Sequence, residues 1–264
     1  MLLTLAAGSL TRRLAANGEA GLNLLDVPRI AIEQLQLRGL NVPASLLAGW
    51  SVKDLDRLRD QADKAGCPCL VLVEDTPLAF ADPDESVRDA AGERVKRVAV
   101  AANRLGCNAI AIQCDAADTD EAFELTAMEL REVMPDVERH ELNLLLGSNA
   151  GLTLNPDRLT DLIKRVGGFR IGSLPDFQHA AASGDAVAAL RKLAPYAGAV
   201  HATILGFDKK GVHKSYSLEE CVTAIRSVGF VNTLAIDFTG DDDPMETIER
   251  ARSVLQQAID AYEG

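Results

Sequence analysis

Residues 142–172 read LNLLLGSNAGLTLNPDRLTDLIKRVGGFRIG, and this stretch decides the fold. The apolar run Leu142–Leu146 is typical of a strand that is buried on both faces. Asn155-Pro156 then combines a capping side chain with a proline, the residue that suits the first turn of a helix. Apolar residues at helical spacing follow, and a further apolar run predicts a strand at Phe169–Gly172. The stretch therefore predicts a strand, a helix and a second strand in succession.

The same succession repeats along the chain, at the spacing of about 30 residues that a strand–helix–strand unit needs. The predicted strands are Leu2–Leu5, Leu37–Val42, Leu70–Val73, Ala109–Gln113, Leu142–Leu146, Phe169–Gly172, Ala199–Leu205 and Leu234–Phe238. Helix-period segments lie between them, with capping signals at Asp243-Pro244 and Ser217-x-x-Glu220. Eight alternations suit a closed barrel or an open doubly wound sheet. We expect the barrel, because no G-x-G-x-x-G follows the first strand as it would in a dinucleotide-binding sheet.

The length of the chain agrees with this architecture. It has 264 residues, and a barrel of eight strand–helix units typically has about 250. No linker rich in proline, glycine or serine divides the sequence. We therefore predict an α/β fold in which residues 1–264 form a single (β/α)8 TIM-barrel domain.

Charge and cysteine content narrow the functional classes. The net charge is -12, from 39 acidic and 27 basic residues, and such a field repels nucleic acids and anionic membrane surfaces. We therefore expect neither as a partner. The N-terminus lacks the leading positive charges of a secretory signal. The five cysteines are odd in number and show no paired zinc-binding spacing, so buried structural thiols and a cytoplasmic location are expected.

Candidate functional residues lie where the predicted strands end. In a (β/α)8 barrel the working residues occupy the carboxyl ends of the strands and the loops that follow. Carboxylates and a histidine that converge there suit a divalent metal ion, because oxygen and imidazole ligands bind Mn, Mg, Co or Zn. The candidates at these strand ends are Glu74, Asp75, Gln113, Asp115, Ser148, Asn149, Asp176, His201 and Asp237.

Four segments in the second half of the chain carry a family resemblance. Residues 144–156 resemble a family stretch in which a strand ends in E-N-H-G-G and leads into a helix. Residues 172–177, GSLPDF, resemble G-T-L-P-D-F; residues 199–203 resemble V-H-A-K, and residues 234–241 resemble I-E-Y-E-G-D. The chain thus resembles the xylose-isomerase-like superfamily of sugar and sugar-phosphate isomerases and epimerases.

The resemblance implies a metal site that this chain has only in part. It implies that Asp176, His201 and Asp237 are metal ligands, with Asp237 and His201 as catalytic residues. Gly147 stands where the family has a glutamate that binds the metal and moves a proton, and Asp237 replaces a second glutamate. We therefore expect a degraded site, in which a divalent metal (Mn, Mg, Co or Zn) binds weakly or not at all.

Other roles and simpler interpretations accompany these predictions. Ser148 and Asn149 are predicted to hydrogen-bond a sugar or polyol, and Trp50 to stack on a sugar face, although a surface loop and core packing also explain them. Asp176 also suits a turn cap, and His201 a hydrogen-bonded position in the core. Barrels of this type often pair through helices and loops, so a homodimer is an expectation.

Two functions stay open on the sequence. One is a divergent sugar or sugar-phosphate isomerase/epimerase that uses a weakened metal site. The other is a non-catalytic barrel, a pseudoenzyme, that binds a small polyol or a protein partner. The related endonuclease of abasic DNA needs a histidine-rich metal cluster and a basic face, and four scattered histidines on an acidic chain supply neither.

Overall fold

Eight parallel strands surround the centre of the molecule in the computed structural model, which describes residues 1–15 and 21–263. The strands are β1 (Leu2–Ala6), β2 (Leu40–Pro43), β3 (Cys69–Val73), β4 (Ala109–Ile112), β5 (Asn143–Gly147), β6 (Ile171–Leu174), β7 (Ala199–Ile204) and β8 (Thr233–Phe238). The helices are α1 (Thr11–Ala15), α2 (Val27–Glu33), α3 (Val52–Ala65), α4 (Glu85–Leu105), α5 (Asp120–Arg139), α6 (Pro156–Val166), α7 (Phe177–Ala182), α8 (Ala186–Leu193), α9 (Leu218–Ser227) and α10 (Pro244–Glu263). Short 3-10 helices lie at Ala7–Leu10, Leu24–Asp26, Ala44–Leu47, Gly151–Thr153 and Ala194–Tyr196.

The strands form a ring that closes between β6 and β7. Continuous parallel pairing runs in the order β6-β5-β4-β3-β2-β1-β8-β7. The two ends of this order meet through isolated contacts, in which Gly198 N donates to Ser173 O at 3.2 Å and His201 N donates to Pro175 O at 2.9 Å. The predicted (β/α)8 barrel is thereby confirmed.

The core has two layers, one inside the barrel and one between the strands and the helices. Small side chains such as Ala109, Ala111 and Ala199 belong to the inner cluster, together with Leu145. Ile110 belongs to the outer cluster, because neighbouring residues of a strand face opposite sides of the sheet. Strands that bury both faces explain why the sequence shows continuous apolar runs instead of alternation.

The eight strands lie near their predicted places, but the first or the last residue of each differs from the prediction. The sixth strand was predicted at Phe169–Gly172 and lies at Ile171–Leu174. Phe169 precedes the strand, and its side chain is fully exposed. The helix caps are confirmed. Asn155 Oδ1 accepts from Asp157 N at 3.0 Å, and Ser217 Oγ accepts from Glu220 N at 3.1 Å.

The thiols are buried as expected. All five cysteines are free and buried, and burial raises the pKa of Cys67 to about 11 and that of Cys69 to about 12. Thiolates are the reactive form of cysteine, so these side chains act as small apolar residues. Within residues 1–15 and 21–263, the helices are all too short or too polar to cross a membrane.

Candidate functional site

A cavity of about 150 Å³ opens at the carboxyl ends of the strands. It lies where (β/α)8 barrels carry their functional residues. Every strand or the loop after it contributes to the wall. The lining residues are Ala6, Asn41, Pro43, Val73, Asp75, Ala111, Ile112, Gln113, Gly147, Ser148, Leu174, Asp176, His179, His201, Thr203 and Asp237.

Asp176 lies between the end of β6 and the start of α7. Its Oδ1 accepts from His179 N at 3.0 Å and so caps α7, while its Oδ2 accepts from the Thr203 hydroxyl at 2.5 Å. Burial raises the pKa of Asp176, against the opposing effects of the His179 imidazole and the two hydrogen bonds. Both carboxylate oxygens are therefore already engaged by protein donors. Asp176 therefore caps α7 and also lines the cavity.

His201, in the middle of β7, joins two other residues of the cavity. Its Nε2 lies 2.9 Å from Asn41 Nδ2, and its Nδ1 lies 3.7 Å from Asp237 Oδ2. Asn41 lies on β2 and is fully buried. Sequence analysis did not nominate Asn41, although a polar residue within an otherwise apolar, doubly buried strand is a signal that points to it.

His179 is the second cavity residue that sequence analysis missed. It follows Asp176 by three residues, and the first turn of α7 brings its Nδ1 to 3.4 Å from Asp176 Oδ1. Residues three apart on a helix share a face. The Asp-x-x-His spacing at 176–179 was therefore a usable signal.

The end of β5 has room for a Cβ atom that Gly147 does not supply. A Cβ built on Gly147 would lie 3.4 Å from Ile112 O and 3.5 Å from Gln113 Cγ, which are ordinary contact distances. Packing at this position therefore does not require glycine.

The residues present do not fit a metal centre with four protein ligands. In the described part of the chain, no group of three or more His, Cys, Asp or Glu side chains is placed to hold a metal ion. Three nearby carboxylates have other surroundings: Glu74 is paired with Arg94 Nε at 2.5 Å, and Asp115 lines a separate surface pocket. Asp75 lines the cavity, and its Oδ1 accepts from Ser45 N at 3.0 Å. The ligand roles of Asp176, His201 and Asp237 stay predictions.

The three predicted sugar-contacting residues occupy different environments. Ser148 lines the cavity, and its buried hydroxyl has no hydrogen-bond partner among the described residues. Asn149 Nδ2 donates to Gln113 Oε1 at 2.9 Å instead. Trp50 packs against the outer core. Asn149 and Trp50 are not among the described residues that line the cavity, and their binding roles stay predictions.

A histidine holds the loop after β7 next to the cavity. His213 Nε2 accepts from Leu205 N at 3.1 Å, and His213 Nδ1 lies 3.2 Å from Tyr216 O. Tyr216 in turn donates from its hydroxyl to Thr203 O. Burial lowers the pKa of His213, with a further lowering from Lys214 and a partly opposing effect of the Tyr216 carbonyl. The Nε2 acceptor role requires a neutral imidazole.

Acid is therefore expected to loosen the segment at residues 205–216. The folded-state pKa of His213 lies below the ordinary value of about 6.5. The stability from its neutral form is full above about pH 6.5 and is lost as the pH falls through the lowered folded value. Intrinsic amide exchange slows as the pH falls from about 7.5 to 5, so exchange at Leu205 should slow less than intrinsic exchange does, and the protection factor of this amide should fall. The glutamine in His213→Gln does not titrate, so this variant should not show the fall in protection at Leu205. An equal fall in wild type and His213→Gln would contradict the assignment.

The cavity and the barrel define a class: a (β/α)8 barrel with its polar site at the carboxyl ends of the strands. Comparison with known families places the chain in a narrower class. The chain belongs to the xylose isomerase-like TIM barrel family, whose model matches residues 31–257. The resemblance seen in the sequence is confirmed.

Solved structures share the fold over nearly the whole chain. An L-ribulose 3-epimerase has a TM-score of 0.82 at 16% identity and covers 100% of this chain and 97% of its own. D-psicose 3-epimerase from Clostridium cellulolyticum H10, solved with D-tagatose, gives 0.76 at 15%, with 100% and 98% covered. The IOLI protein with a binding zinc atom gives 0.73 at 14%, with 98% and 96% covered. These identities show the fold alone, and no curated protein sequence matches the chain.

Proposed function

We propose that this protein binds a small sugar or polyol in the mouth of its barrel, as an isomerase/epimerase-like protein that has lost metal-dependent proton transfer. The whole chain, residues 1–264, acts in this proposal as one barrel domain. The observation that carries it is Gly147 at the end of β5, in a cavity where both oxygens of Asp176 are held by Thr203 and His179.

The missing carboxylate removes two functions together. In the family a metal ion would polarise a hydroxy-carbonyl substrate while a glutamate abstracts a carbon-bound proton. Gly147 supplies neither a ligand nor a base. Asp237 is shorter than glutamate by one methylene group, which draws its oxygens back by about an ångström, given ordinary single-bond lengths.

The cavity retains the properties of a binding site. It combines apolar walls with a small number of polar groups, which is typical of sites for small molecules. A closed cavity of about 150 Å³ accepts a molecule of about benzene's size. Because this cavity opens at the carboxyl ends of the strands, a longer polyol extends out of it. Asn41, Ser148, His201 and Asp237 supply hydrogen-bonding groups for the ligand.

A second candidate is an isomerase/epimerase with a weakened metal site. It is favoured by Asp176, His201 and Asp237, which line one cavity although they come from different strands. In this candidate, His201 and Asp237 move the proton. The two candidates differ in whether the cavity holds a stoichiometric divalent ion.

The test is calorimetric titration with Mn, Mg, Co and Zn, together with NMR titration with xylitol and D-fructose. The proposal expects saturable polyol binding without stoichiometric metal binding. Asp75→Ala is the matched control for Asp176→Ala and His201→Ala, because Asp75 also lines the cavity and is outside the predicted ligand set. Stoichiometric metal binding that is lost in Asp176→Ala and His201→Ala but kept in Asp75→Ala would replace the proposal with the second candidate.

A further inference from the structure

We propose that Asn41 and Ser148 recognise the ligand, and that this ligand is an uncharged polyol or sugar instead of a sugar phosphate. The inference rests on the proposed function and specifies the chemistry of the same cavity. It arises from two buried polar atoms and from the charges of the cavity wall.

Asn41 Oδ1 and Ser148 Oγ are buried without a hydrogen-bond partner among the described residues. Asn41 is 0% exposed and Ser148 is 5% exposed. Buried polar atoms are bonded in the great majority of cases, since an unmet hydrogen bond is costly. Both residues line the cavity, and in this proposal ligand hydroxyl groups are the partners of these two atoms.

His201 is a positioning residue for Asn41. Asn41 Nδ2 donates to His201 Nε2 across 2.9 Å, which fixes the orientation of the amide and leaves Oδ1 for a ligand. Nε2 accepts this bond, so the ring proton of His201 lies on Nδ1, the nitrogen 3.7 Å from Asp237 Oδ2.

The two recognition atoms lie on different walls of the cavity. Asn41 belongs to β2, and Ser148 follows β5, with β3 and β4 between them in the strand order. A carbon chain that carries several hydroxyl groups places one at each wall.

The charge of the wall selects against anionic ligands. Asp75, Asp176 and Asp237 line the cavity, and no lysine or arginine is present among its described lining residues. Phosphate recognition usually relies on Arg, Lys or the N-terminus of a helix. A phosphate in this cavity would therefore meet three carboxylates, and among the described lining residues the basic groups are the imidazoles of His179 and His201.

Unpartnered buried hydroxyls elsewhere in the barrel provide a control. Thr4 Oγ1 is also buried without a partner among the described residues, but Thr4 is not part of the cavity wall. Thr4→Val removes such an atom away from the cavity, whereas Ser148→Ala removes one from its wall. The comparison separates ligand recognition from general effects of removing a buried hydroxyl.

The experiment measures the binding of D-ribulose, xylitol and D-ribulose 5-phosphate by NMR titration. Wild type should bind D-ribulose at least about tenfold more tightly than its phosphate, the difference of one charged interaction. Ser148→Ala and Asn41→Leu should each weaken D-ribulose binding by about tenfold, and Thr4→Val should leave it unchanged. Nitrogen-15 spectra of wild type should show His201 protonated on Nδ1, a pattern that Asn41→Leu should alter.

The outcomes separate the inference from the proposed function. If neither D-ribulose nor xylitol binds wild type, the proposed function fails and the inference fails with it. If they bind but Ser148→Ala and Asn41→Leu bind equally well, or the phosphate binds as tightly as D-ribulose, the inference alone is overturned. A His201 ring protonated on Nε2 in wild type would likewise overturn the positioning of Asn41.

Discussion

Gly147→Glu is expected to create a tight divalent-metal site in the mouth of the barrel. The new carboxylate would join Asp176, His201 and Asp237, which already line the cavity. A Cβ at residue 147 meets only ordinary contacts, at 3.4 Å and beyond, so branching from the backbone at this position causes no clash. Because the number of charged ligands tunes the affinity of carboxylate sites over several decades, Mn²⁺ affinity should rise by at least about 100-fold over wild type.

Calorimetric titration with Mn²⁺ and Co²⁺ measures this gain. Gly147→Gln is the matched control, because its side chain has nearly the same size and carries no charge. Asp176→Ala added to Gly147→Glu should abolish the gain. Equal metal affinity in Gly147→Glu and Gly147→Gln would mean that the missing carboxylate is not what limits metal binding in this family member.

Gly172→Ala is expected to destabilise the barrel by about 2 to 3 kcal/mol, the upper part of the range for overpacked cores. An added Cβ would lie 2.5 Å from the carbonyl oxygen of Tyr196, a backbone atom that cannot rotate away. The clash falls where β6 meets β7, a junction called the seam below. Isolated hydrogen bonds join the two strands there, in place of continuous pairing. The seam must widen, and Asp176 and His201, which face each other across it, must move apart.

Thermal unfolding followed by circular dichroism should show a Tm lower by roughly 4 to 12 °C, given about 2 to 4 °C per kcal/mol at this chain length. Gly147→Ala is the control, since its Cβ fits and a Gly→Ala change reduces the conformational freedom of the unfolded chain. Its Tm should be equal to or above that of wild type. A Gly172→Ala variant as stable as Gly147→Ala would show that the seam tolerates the extra atom.

The barrel was predictable because its strands are buried on both faces. Runs such as Ala109–Gln113 and Leu142–Leu146 are apolar at four of their five positions, and their regular spacing with helices between them leaves few topologies. The boundary at Phe169 was wrong for a physical reason. Strand propensity does not report burial, and this aromatic side chain is exposed before the strand that it was predicted to begin.

Asp176, His201 and Asp237 could also be placed at one mouth from the sequence. Parallel strands in a barrel all end on the same side, so residues at their carboxyl ends converge wherever they lie in the chain. The same rule brought Ser148 and Gly147 into the cavity wall. Asn149 and Trp50 lie outside that wall, because a strand end or a nearby loop does not determine the direction of a side chain.

The sequence by itself determined the eight-unit barrel, the family and the absence of a glutamate at residue 147, since each follows from local pattern or residue identity. Only the tertiary structure decided which polar atoms have partners. Asn41 meets His201 across 160 positions of the chain, and Thr203 meets Asp176 from a neighbouring strand. Such contacts depend on barrel closure and on side-chain direction, which local periodicity does not encode.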